Sequence, residues 1–315
     1  MNSHATVRSP FRIHPAAIAL LTLALTTSAA HAALVNINQH GLSGHWSNPA
    51  IHGQGIIFEV YSTPAGARVV GSWHTFDTVA APGYDKQRWY TFTGEVKNGS
   101  NAVTLELRSS FGGNFDATPA PTSISVGSAT LHFDSCSSGR LEYSFDDGRN
   151  GNIPLTRTLA NVGCESAAGS GKPIPQFGLS GNWYRAETPG QGIVLEVNPV
   201  AGKTRLGWFT FAADGAGAGM AGQRWFSAEG DFATGATSVS LPLFHTVYGT
   251  FNSDASLPTT YRVGTVTLDF IDCQNIVYSY AFNMAEFAGR SGAMVLQRSG
   301  ETPASCAVTD AKRGR

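Results

Sequence analysis

Gly53-Gln54-Gly55-Ile56-Ile57-Phe58-Glu59-Val60 returns 137 residues further on as Gly190-Gln191-Gly192-Ile193-Val194-Leu195-Glu196-Val197. The flanking sequence returns with it. Gly41-Leu42-Ser43-Gly44-His45-Trp46 matches Gly178-Leu179-Ser180-Gly181-Asn182-Trp183. Trp73-His74-Thr75-Phe76 matches Trp208-Phe209-Thr210-Phe211, and Gln87-Arg88-Trp89-Tyr90 matches Gln223-Arg224-Trp225-Phe226. The offset never leaves 135–137 as far as Cys136 and Cys273. A period this long is no solenoid repeat of 20–50 residues, so each copy is a domain.

Within a copy the pattern is that of strands. The second copy carries apolar-rich runs at Ile193–Val197, Arg205–Phe211, Arg224–Gly230, Ser238–His245, Gly264–Phe270, Ile276–Phe282 and Ala293–Arg298, after a short opening strand at Trp183. Gly, Asn, Asp, Ser and Pro separate them at meander spacing. Val239, Leu241 and Leu243 alternate with Ser238, Ser240 and Pro242, so one face is a core and the other is wet. Eight short antiparallel strands must close or stack to hide their edges. The expected fold is therefore all-β: two tandem antiparallel eight-stranded meander barrels, or barrel-like sandwiches, after a signal peptide. Closure would set strand one against strand eight, with Arg157 over Trp46 and Arg298 over Trp183. It would also place the ends of strands six and eight on one rim, pairing Cys136 with Cys164 and Cys273 with Cys306.

Residues 1–32 read as the signal. Arg8 and Arg12 precede a short apolar run, and Ala30-His31-Ala32 is a small-x-small cleavage pattern. The domains follow as 33–165 and 176–309, joined by a Gly/Ser/Pro linker at 166–175 and trailed by a frayed tail at 310–315. Four cysteines suit an oxidising compartment, so an exported, periplasmic or extracellular protein is expected, with no membrane span after cleavage. Charged residues are only 14% and the formal net charge is −1, which excludes a nucleic-acid binder working by bulk electrostatics. Removing the signal leaves 19 basic against 22 acidic groups.

The residues that recur with chemistry are Gln54, Glu59, Trp73, Thr75, Gln87 and Trp89, matched by Gln191, Glu196, Trp208, Thr210, Gln223 and Trp225. Trp73 and Thr75 share one strand face, and Gln87 and Trp89 share one face of the next. Turned inward they would line a barrel mouth with two indole walls and a few hydrogen-bonding groups, suited to a small polar or carbohydrate ligand. The bland alternative is cross-strand packing, with Glu59 pairing Arg88 and Glu196 pairing Arg224. No nucleophile elbow, phosphate loop, metal-ligand spacing or cofactor motif is present, so an enzyme is not expected. His45, His52, His74 and His132 face Asn182, Pro189, Phe209 and Asp269 in the other copy, which argues against a shared metal site. The expected function is a non-catalytic binding protein with a Trp-lined seat in each repeat. The alternative is an envelope or extracellular scaffold that contacts other proteins and holds no small ligand.

Gly44-His45-Trp46 and Gly181-Asn182-Trp183, the eight-strand spacing and the terminal Arg resemble the calycin superfamily of lipocalins and avidins. The resemblance implies closed eight-stranded barrels, with Asn48 at a position used on the ligand's ureido group and an aromatic-x-hydroxyl pair at Trp73/Thr75 and Trp208/Thr210. Arg185 replaces that Asn in the second copy, and His52 and Pro189 stand where a ligand-binding Ser would be. The chain is also similar to tandem Gly-x-Trp, Gly-Gln-Gly repeat proteins exported by bacteria.

Overall fold

A computed structural model describes Met1 and residues 35–79, 83–160, 163–164 and 174–308. The rest of the signal segment, most of the linker and the tail at 310–315 lie outside the described residues. The first barrel comprises β1 (Gly44–Ser47), β2 (Gly55–Thr63), β3 (Gly66–Phe76), β4 (Gln87–Lys97), β5 (Ala102–Phe111), β6 (Thr122–Phe133), β7 (Ser138–Phe145) and β8 (Asn150–Arg157). The second comprises β9 (Gly181–Tyr184), β10 (Gly192–Asn198), β11 (Lys203–Phe211), β12 (Gln223–Asp231), β13 (Ser238–Val247), β14 (Thr259–Phe270), β15 (Asn275–Phe282) and β16 (Ser291–Arg298). Each is an antiparallel meander that closes on itself, so barrels are formed rather than sandwiches.

The closing seam pairs Trp46 with Arg157 and Trp183 with Arg298. Each guanidinium lies over its indole, at 5.7 Å and 4.5 Å from the ring centre, within cation–π range. Cys136–Cys164 and Cys273–Cys306 are disulfide-bonded, closing spans of 28 and 33 residues. Each ties the turn after the sixth strand to the chain leaving the eighth.

Most strands alternate as the sequence does; β13 reads Val239, Leu241 and Leu243 inward. Trp46, Trp73, Tyr90, Phe92 and Phe133 fill the first barrel, and Trp183, Trp208, Phe226, Tyr278 and Phe282 fill the second. Fully burying each such ring contributes roughly 1.5–3 kcal/mol. Several stretches break the alternation, Gly71–Phe76 of β3 among them. Ile56–Val60, Gly192–Val197, Gln87–Tyr90 and Gln223–Phe226 are buried at every residue. A strand is buried on both faces only when something covers its outer side. Here that cover is the other barrel, and the two barrels belong to one compact unit.

Candidate functional site

Most of the recurring polar and aromatic residues meet between the barrels, where their main contacts have counterparts with the two copies exchanged. Glu59 accepts from the backbone N–H of Asn182 at 2.8 Å and from Arg298 at 2.7 Å. Glu196 accepts from the N–H of His45 at 2.9 Å and from Arg157 at 3.0 Å. All four charged side chains are fully buried. Burial opposes ionisation of Glu196, but the His45 hydrogen bond and the Arg157 charge outweigh it and hold the carboxyl below its ordinary value. The carboxylates press against Gly44 and Gly181, where any side chain would collide with them. That approach is the physical reason for Gly in both Gly-x-Trp openings.

Gln87 and Gln223 work the same way. The Gln87 amide donates to Trp225 O at 2.9 Å and accepts the Trp225 N–H at 3.0 Å. Gln223 holds the Trp89 backbone through the mirrored pair, both at 3.2 Å. The indoles of Trp89 and Trp225 donate to Thr210 O and Thr75 O, and with Phe76 and Phe211 they form a separate apolar cluster.

Gln54 and Gln191, the centres of the Gly-Gln-Gly motifs, each clamp a loop of the other barrel. Gln54 donates to Thr250 O and accepts the Asn252 N–H, both at 2.9 Å. Gln191 donates to Asn114 O at 2.9 Å and accepts the Asp116 N–H at 3.2 Å. Thr75 and Thr210 each add a hydroxyl donor to the same glutamine oxygen. The clamped loops carry Phe251 and Phe115 into the opposite barrel's mouth. Phe115 packs in tilted and edge-on contacts among Trp208, Tyr280, Phe282 and Phe287, and Phe251 packs on Trp73, Tyr143 and Phe145.

This geometry corrects the inward placement. Trp73 and Trp208 do face their own barrel interiors, whereas Gln87, Trp89, Gln223 and Trp225 face the partner barrel, so the two indoles of one copy do not line one mouth. The expected ion pairs change as well. Arg88 pairs with Asp77 and Arg224 with Glu286, leaving Glu59 and Glu196 to the last arginines of the opposite barrels.

Two grooves open where residues of both barrels meet; the larger, of about 800 Å³, is lined by Tyr61, Arg68, Phe177 and Pro303, among others. The other, of about 440 Å³, is lined by His45, Gln54, His74, Arg205, Trp225 and Thr158, among others. The His45 ring directs Nδ1 to Glu196 at 3.2 Å, and burial keeps its pKa below the ordinary value despite that carboxylate. His74 lies flat on Trp225, 5.5 Å between ring centres and 6° between planes. Its Nε2 meets Ser72 Oγ at 3.1 Å, and burial pushes its pKa down to about 3. Neither histidine recurs, since the second copy has Asn182 and Phe209 in their places, so the sequence weighs them only as metal ligands. The plugs were legible as the repeated Gly-x-Phe of Gly113-Asn114-Phe115 and Gly249-Thr250-Phe251. No protein-family model matches the chain, and no curated protein matches it significantly.

Proposed function

We propose that this chain is an exported, non-catalytic binding protein whose two calycin-like barrels are clamped into one rigid body and hold a small polar or carbohydrate ligand between them. The observation that carries it is the groove beside His45, where Gln54 and Trp225 meet imidazole and hydroxyl groups in a concave space of about 440 Å³. That volume lies within the usual range of small-ligand sites, as does the mixture of apolar wall and few polar groups. The barrel mouths offer no such seat, since Phe115 and Phe251 occupy the space where a seat in each repeat would lie. Two disulfides accord with export into an oxidising compartment.

A scaffold without a small ligand is the second reading. It is favoured by the use of the recurring residues to join the barrels. Native mass spectrometry of the protein purified from its own host, before and after denaturation, separates the two. A non-covalent mass that leaves on denaturation supports the binding protein. A bare chain that captures a defined envelope or extracellular protein supports the scaffold.

A further inference from the structure

The two ends of the inter-barrel seam are built from different residues. Where one end has His45, the other has Asn182, whose amide donates to Val70 O at 3.1 Å and Tyr61 OH at 3.3 Å. Where one end has His74, the other has Phe209, packed 5.2 Å from the Trp89 ring. Asn182 and Phe209 are thus engaged inside the seam. At the His45 end, Gly207 makes the space: any side chain there would strike the His74 ring.

The hydrogen bonding leaves His45 Nε2 free to receive a ligand, and the buried Nε of Arg205, another lining residue, is a donor without a partner. A neutral imidazole that directs Nδ1 to the Glu196 carboxylate must carry its proton on Nδ1, which leaves Nε2 an acceptor. His45 is one-fifth exposed and lines the groove. The charges around it are balanced: Glu196 by Arg157 at 3.0 Å, and Arg205 by Glu229 at 2.7 Å. A charged ligand would enter without a counter-charge, whereas a neutral one that donates hydrogen bonds meets an acceptor, several hydroxyls and an apolar wall. We propose that the His45 end of the seam is a single seat for one neutral polyhydroxylated ring of monosaccharide size, anchored by a ligand hydroxyl donating to His45 Nε2. This rests on the binding-protein reading and assigns its ligand class, anchor and stoichiometry.

The test is calorimetric titration of the full mature protein with methyl glucoside, methyl galactoside, N-acetylglucosamine and myo-inositol. The expected result is binding of at least one at one per chain. His45→Asn weakens it about tenfold, the scale of one lost hydrogen bond. This variant keeps the backbone N–H that Glu196 needs, as Asn182 does for Glu59. His74→Phe, which copies the other end, also weakens binding, whereas Phe209→Leu leaves it within twofold. Binding that is unchanged in both histidine variants, or two ligands per chain, overturns the seat while leaving the binding protein standing. Failure of all four compounds overturns the ligand class. If the protein from its host also proves bare, the binding reading itself falls.

Discussion

Phe115 belongs by sequence to the first barrel but lies in the core of the second, only 5% exposed. Its ring centre is 4.6 Å from Phe287, 5.2 Å from Trp208, 5.5 Å from Tyr280 and 5.8 Å from Phe282. Phe115→Ala therefore opens a cavity walled by rings from β11, β15 and the segment Ala285–Phe287. A closed barrel cannot collapse to fill it, so the cost falls in the range of about 3–5 kcal/mol for such truncations. At about 2–4 °C per kcal/mol for a unit of this size, the melting temperature should drop by roughly 6–20 °C. Calorimetry reads the drop, and hydrogen exchange locates it. The amides that lose protection should be those of β11 and β15, in the barrel that does not carry the mutation. A melting temperature within about 2 °C of the parent, or lost protection confined to β5 and β6, would refute the reciprocal plug.

Three further outcomes follow from the seam and its supports. Glu59→Ala should cost about 3–5 kcal/mol in urea unfolding, because Arg298 stays charged and fully buried; Glu59→Leu with Arg298→Met should recover most of that loss. Replacing Cys136 and Cys164 together by Ala should cost about 3–4 kcal/mol, the chain-entropy value for a span of 28 residues, read from the shift in urea midpoint. His74 and His245 are buried with pKa values pushed down to about 3 from an ordinary 6.5, burial being the main cause. The unfolded chain takes up their protons first, so this stability is complete above pH 6.5 and falls as pH drops from 6.5 towards 3. The slope approaches about 1.4 kcal/mol per pH unit for each ring. Urea midpoints measured between pH 7 and pH 4.5 should fall more steeply for the parent than for His74→Phe.

The sequence by itself determined the repeat and the strands, and left closed barrels and stacked sandwiches both open until the tertiary structure showed closure. The repeat and the strands depend on local alternation and turn chemistry, which neighbouring residues carry: β13 is visible in Val239, Leu241 and Leu243, and the partner of Cys136 in the rim it shares with Cys164. What Gln54, Glu59, Gln87 and Trp89 do was decided only by the tertiary structure. Period-two alternation says that residues share a face and is silent on whether that face meets a barrel interior or a second barrel. The one local trace was the loss of alternation at Ile56-Ile57-Phe58 and Ile193-Val194-Leu195, where both faces are covered. The groove beside His45 was further from reach. It arises where the copies differ, at His45 against Asn182 and His74 against Phe209. Such differences acquire meaning only once two barrels are set face to face, because a cavity belongs to surfaces brought together from distant parts of the chain.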